Sequence, residues 1–250
     1  EFKKGCDGSM KKRLLLLFLM AVMILLLIMV FDVFLNFGMN MGILTNHPCQ
    51  PPCWQSLVPG VSTEPEVRSF MEKLDPDEWS FESRQADVIV ENAYSIRSYY
   101  EPLIPNDAEF DLLMKNNELR FINSDLTHVH PFLVPYLILG KPDYYESILA
   151  IGPDGSGYFL TLIYLSKGLA FTMLVDPEKP GQISPFTLIS GISYFPPGSL
   201  MEYYQAKETL RVEGEDLINF ANKEITKYIF PWKGFGELEM GKSGYLFESK

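Results

Sequence analysis

The sequence predicts an α+β protein. An N-terminal transmembrane helix leads into two tandem repeats, each a helix plus an antiparallel sheet, and a late C-terminal helix follows. Three observations carry that prediction. Leu14–Phe31 is 18 residues without a charge or a helix breaker. A capped amphipathic helix begins at Thr63, and the apolar runs beyond it are separated by Gly, Pro and Asn turn signals. The order helix, turn, strands then recurs from Thr127.

The first element is the apolar run LLLLFLMAVMILLLIMVF. At 1.5 Å per residue it spans roughly 27 Å, about one hydrocarbon core. A buried core helix would show a polar face, and this run has none. Lys11-Lys12-Arg13 precedes it and Asp32 is the first charge after it. Basic flanks stay on the cytoplasmic side, so the N-terminus is expected inside and the chain from about residue 45 outside. A cleaved signal peptide is the rival reading, but the run is too long and no A-x-A site follows. An uncleaved signal anchor over 10–44 is preferred. Residues 1–9, EFKKGCDGS, stand before a Met-Lys-Lys-Arg start and read as a tag or upstream extension.

A Cys/Pro linker over 45–62 comes next, with the stretch His47-Pro48-Cys49-Gln50-Pro51-Pro52-Cys53-Trp54. Thiols outside the membrane tend to oxidise, so Cys49 and Cys53 are read as a disulfide staple. Over so short a loop it contributes little chain entropy, but it can stiffen the link between anchor and domain. Two inert thiols, a redox pair, or a metal site with His47 are the other readings. Redox pairs usually read C-x-x-C, and no second cluster supplies a fourth metal ligand.

Of the chain's 21 basic and 32 acidic residues, five and three precede residue 45, so the remainder carries a net charge of −13. That sign repels nucleic acid and anionic lipid headgroups, and both are set aside as partners. About 200 residues can bury a sizeable core. The 13 Tyr and 18 Phe, spread along the chain, favour strands.

The first repeat is expected over 63–125. Thr63 and Glu66 form a T-x-x-E capping box with Pro65 in the first turn. Val67, Phe70, Met71 and Leu74 make one apolar face, and Asp75-Pro76-Asp77 stops the helix. Strand-like runs follow at Ala86–Ile96, Phe110–Met114 and Leu119–Ile122, the last two flanking a Lys115–Glu118 hairpin turn. The second repeat is expected over 126–250. Val129, Phe132, Leu133, Tyr136 and Leu137 have helical spacing, but Pro131 and Pro135 predict a short or kinked helix. Strands are expected at Tyr145–Ile151, Tyr158–Leu165, Leu169–Val175 and Phe186–Phe195, and a helix at Glu215–Phe230. Both faces of Tyr158–Tyr164 are largely apolar, which predicts cover on both sides of the second sheet.

The stretch PCWQSLVPGVSTEPEVRSFMEKL, then LILGKPDYY and YFLTLIYLSKGLAFTML, resembles membrane-anchored or lipid-anchored bacterial envelope proteins of uncharacterised role. The repeat is also similar to the small α/β unit of outer-membrane assembly lipoproteins of the SmpA/OmlA type. Two tandem copies of such a unit make the fold of the β-lactamase inhibitor protein. The resemblance covers about residues 48–195, with an echo at Pro231-Trp232-Lys233-Gly234-Phe235-Gly236. It implies a fold more than an activity, because its motifs are glycines, prolines and core aromatics.

Catalytic signatures are sparse. The sequence has no G-x-S-x-G elbow, phosphate loop, H-E-x-x-H or strand-borne G-x-G-x-x-G. His128-x-His130 can place two rings on one strand face as metal ligands; a solvated helix start capped by Thr127 is the plainer reading. Asp154-Gly155-Ser156-Gly157 lacks the later acidic ligands of a calcium loop and reads as a hairpin turn. Asp75, Asp77 and Glu78 read as a solvated turn. The expected function is a non-catalytic, membrane-tethered, extracytoplasmic interaction module. It needs no cofactor, meets the bilayer through its N-terminal helix and binds another envelope protein. The alternative is a thiol-redox or metal-dependent envelope enzyme using Cys49/Cys53 or His128/His130.

Overall fold

The structure, a computed structural model, describes residues 7–41, 49–74, 79–84, 92–98, 109–152, 155–176, 178–179, 181–207, 228–240 and 244–246. Helix α1 (Asp7–Met41) is 35 residues long, roughly 52 Å. Within it Lys12–Val30 is long and apolar enough to cross a membrane, and none of that window is buried against the rest of the protein.

Helix α2 (Glu64–Met71) starts where the capping box places it. The Thr63 backbone N–H donates to the Glu66 carboxylate at 2.7 Å. That hydrogen bond also holds the Glu66 carboxyl below the usual range. Val67 and Met71 are buried, while Phe70 and Leu74 pack at the margin of the core. Strands β1 (Trp79–Arg84), β2 (Asn92–Ser98), β3 (Glu109–Lys115) and β4 (Glu118–Pro131) then run as an antiparallel meander. Lys115 pairs with Glu118 across Asn116 and Asn117, whose φ values are 53° and 61°. Two successive left-handed residues make the primed turn that matches strand twist, and Asn tolerates that conformation better than most residues do.

Strand β4 corrects the expected start of the second helix. Residues 127–131 belong to this strand, so a boundary at 125/126 falls inside one element. Helix α3 (Leu133–Leu139) begins two residues after Pro131. Pro131 ends a strand rather than breaking a helix, and Pro135 lies in the first turn of α3, where a missing N–H costs nothing.

After α3 come β5 (Tyr144–Gly152), β6 (Gly155–Tyr164), a single 3-10 turn (Leu165–Lys167), β7 (Leu169–Leu174), β8 (Gln182–Ile183) and β9 (Leu188–Tyr194). The β5–β6 register runs to Gly152↔Gly155, so Gly155-Ser156-Gly157 is strand and the turn is narrower than expected. Helix α4 (Leu200–Lys207) follows, then β10 (Ile229–Pro231), β11 (Gly236–Glu237) and β12 (Gly244–Leu246). The late helix expected at Glu215–Phe230 lies outside the described residues up to 227. Its last two positions, Ile229 and Phe230, belong to β10 and pair with Glu146 and Tyr145. The Asp75–Glu78 cluster also lies outside the described residues.

One sheet takes the order β1-β2-β3-β4-β9-β7-β6-β5-β10, with β12 pairing parallel to β5. Helices α2 and α3 share one face. There Trp54, Val67, Met71, Phe110, Leu112, Phe132, Leu160, Leu162 and Phe171 join a single buried cluster. Trp54 stacks on Phe110 at 4.2 Å between ring centroids and meets Phe70 edge-on at 5.6 Å. Helix α4 covers part of the opposite face, where Leu113, Phe121, Ile163, Ala170, Phe195, Tyr203 and Tyr204 form a second cluster.

Candidate interaction surface

The expectation that both faces of the second sheet are covered holds only in part, and the uncovered part is the candidate site. Leu160, Leu162 and Tyr164 of β6 point into the helix-side core. Alternation sends Phe159, Thr161 and Ile163 to the opposite face. Ile163 is buried under α4, whereas Phe159, four residues away, is 53% exposed. Four residues of strand are roughly 13 Å, beyond the reach of a two-turn helix packed over Ile163.

Phe159 belongs to a row. It pairs with Ile148 of β5. The β6–β7 register, carried one step past Leu160↔Met173, sets Leu174 beside it. Leu174 pairs with Leu188 of β9, and Leu188 with Pro131 of β4. Directly opposite residues share a face. Five apolar side chains from five adjacent strands therefore line up on the open face. Leu174 is 56% exposed, and Ile148, Leu188 and Pro131 are half-buried. Between this row and α4 runs a more polar one, Glu146, Thr161, Thr172, Gly191 and Asp125.

A buried polar cluster fixes α4 beside that face. Glu146 of β5 accepts hydrogen bonds from the Tyr203 hydroxyl, at 3.0 Å, and from the Lys207 ammonium. Burial, and then the Glu146 carboxylate, push the Tyr203 hydroxyl well above its ordinary value. Lys207 stands in the last turn of α4, where a cation also offsets the partial negative charge of the helix end. The carboxylate has two donors and is almost fully buried, which suits clamping the helix to the sheet.

Helix α4 is not among the expected elements, yet its signal is present in the sequence. Ser199-Leu200-Met201-Glu202 is an S-x-x-E box, and the Glu202 carboxylate accepts from the Ser199 backbone N–H. The preceding Pro196-Pro197-Gly198 reads as a terminator and hides it.

Cys49 and Cys53 have their sulfurs in bonding contact, with Cα atoms 5.6 Å apart, inside the range a disulfide requires. Cys53 is buried and Trp54 follows it into the core. His47 lies outside the described residues. His128 and His130 lie on β4, which overturns the reading of a Thr127-capped helix start; their side chains lie outside the described set. The register of β4 against β9 slips between Asp125 and His130. Among the described residues no three His, Cys, Asp or Glu side chains converge as metal ligands.

Compared with protein-family models, with curated proteins and with solved structures, the chain has no match.

Proposed function

We propose that this protein is a membrane-tethered extracytoplasmic module that binds another envelope protein through the open face of its sheet. The observation that carries the reading is the apolar row Ile148, Phe159, Leu174, Leu188 and Pro131, with Phe159 and Leu174 exposed at its centre. Exposed contiguous apolar surface with a polar border is what protein contact sites present. The helix α1 with Lys11-Lys12-Arg13 before it supports an anchor with the folded part outside. We read the folded part as two tandem α/β repeats, α2 with β1–β4 and α3 with β5–β9. The support is the recurring order of helix then antiparallel meander, and the antiparallel pairing of the two final strands, β4 and β9.

A photo-crosslinking amino acid at Phe159 in native membranes tests the contact. A discrete adduct is expected there, and none from the same group at exposed Asn117 in the hairpin turn. Absence of an adduct at Phe159, or equal adducts at both positions, would sink the proposal.

A further inference from the structure

The turns at one end of the sheet gather around the segment that joins the folded part to α1. Gly168 of the 3-10 turn lies against Pro52 of the disulfide loop, and Gly60 against Pro196 and Glu118. The Gly198 N–H donates to the Leu165 carbonyl, and the Tyr164 hydroxyl donates to the Gly140 carbonyl. The β3–β4 turn, the end of α3, the 3-10 turn, the start of α4 and the disulfide loop therefore share one end. Only residues 42–48 separate Met41, the end of α1, from Cys49. A fully extended chain spans at most about 3.6 Å per residue, which keeps this end within roughly 29 Å of the helix terminus. The row at Phe159 and Leu174 lies at the far end, since the six residues from Gly168 to Leu174 add roughly 20 Å.

The exposed side chains of the near end suit a bilayer surface. At this end Val61, Met201, Lys141 and Lys167 are exposed and Lys115 is half-buried. The carboxylates there keep their charge: Glu118 pairs with Arg120, while Glu202, Asp143 and Glu66 accept from the backbone N–H groups of Ser199, Leu165 and Thr63. Lys115, Lys141, Lys167 and Arg120 offset these four carboxylates, so this end is close to neutral where the external chain as a whole is acidic. Lys115, Lys141 and Lys167 pair with no carboxylate among the described residues. The net −13 of the external chain argues against lipid only where its field reaches. Screening over about 8 Å at physiological salt leaves the near end to its own charges. We infer that this end rests on the headgroups of the leaflet α1 emerges from, with lysines on lipid phosphates and Val61 and Met201 at the interface. The inference rests on the membrane-tethered reading above, and it turns the apolar row away from the bilayer toward a partner.

The test uses the full chain with Cys6→Ser, in vesicles of zwitterionic lipid with and without phosphatidylglycerol. A fluorophore is placed on Ser166→Cys at the near end or Lys179→Cys at the far end, with a thiol count showing Cys49 and Cys53 still oxidised. Lipids carrying a headgroup nitroxide should quench the Ser166 label several-fold more than the Lys179 label. Reversing Lys115, Lys141 and Lys167 to Glu should reduce that quenching, most of all with phosphatidylglycerol present. Equal quenching at the two sites, in a protein that resists alkaline carbonate extraction, overturns this inference and leaves the tether standing. Release of the protein by carbonate overturns the tether itself, and the inference with it.

Discussion

Gly168 and Pro52 touch across 116 positions of sequence. Gly168 has φ +59°, and a β-carbon on it would stand 2.7 Å from the Pro52 Cβ and 2.2 Å from the Phe195 carbonyl oxygen. The disulfide loop thus seats in a notch that only glycine leaves open, and the segment leading from α1 is locked to the second half of the sheet. Gly168→Ala meets two penalties, a left-handed backbone and a clash with main-chain atoms. A loss of roughly 2–4 kcal/mol is expected in chemical denaturation. Gly140 has open space around an added β-carbon, with nothing within 4 Å, but its φ of +82° and ψ of −155° form a backbone conformation that essentially only glycine adopts, so Gly140→Ala should cost roughly 1–3 kcal/mol from the backbone alone. A loss at Gly168 no larger than the roughly 1–2 kcal/mol of a left-handed backbone would refute the notch.

The clamp on α4 predicts non-additivity. Glu146→Ala removes the carboxylate that both Tyr203 and Lys207 use, leaving a partly buried ammonium without its counter-charge. A cost of roughly 2–4 kcal/mol is expected. Lys207→Met strands Glu146 in turn. The double variant should cost clearly less than the two single losses combined, because neither charge then remains alone. Simple additivity would show that Glu146 and Lys207 do not act as a unit.

How much of this was legible in the sequence differs by element, for physical reasons. Helix α2 was legible because its capping box, N-terminal proline and apolar stripe all point the same way. The β3–β4 turn was legible because Asn-Asn is one of the few pairs that tolerates two left-handed residues. The segment 127–137 misled, because Val129, Phe132, Leu133 and Tyr136 satisfy a helical period while β4 in fact continues to Pro131. Short apolar runs satisfy both periods, and pairing with β9 decides. The neighbouring of β4 and β9 was out of reach, since register between strands some 60 residues apart leaves no local mark. For the same reason the row at Phe159 could not be read off. Each member is unremarkable in its own strand, and only the order β4-β9-β7-β6-β5 lines them up.

Buried tyrosines set the alkaline limit of stability. Burial, and then Glu64, whose carboxylate accepts from the hydroxyl at 2.7 Å, push Tyr94 up to about 12. Burial raises Tyr164 and Tyr194 as well. A raised folded-state value means the contribution is complete below the unfolded value near 10. It drains away as pH climbs through the folded value. Stability should therefore be flat from pH 7 to about 9.5 on account of these groups and fall steeply from pH 10 to 12. Tyr94→Phe should make that fall shallower while leaving Glu64 bonded to Arg68. Denaturant midpoints across this range check it, and a slope unchanged by Tyr94→Phe would refute the Tyr94 part.

The open row makes the sharpest separation between stability and binding. Phe159 and Ile163 lie on the same face of β6, four residues apart, and differ in one respect: α4 covers Ile163 and leaves Phe159 in solvent. Ile163→Asp would bury a carboxylate with no cation to meet it among Leu113, Phe121, Ala170 and Phe195. A loss of at least about 4 kcal/mol, or failure to fold, is expected. Phe159→Asp keeps its charge in water and loses only partial contacts with Ile148 and Leu174, so about 1 kcal/mol or less is expected. If the row is a contact surface, the same change should abolish the adduct formed by a crosslinker at Leu174, because a carboxylate at the centre of an apolar contact must be desolvated when the partner docks. A folded Phe159→Asp protein that still forms the Leu174 adduct in full would remove this face from consideration. A Phe159→Asp protein as unstable as Ile163→Asp would mean that Phe159 belongs to the core.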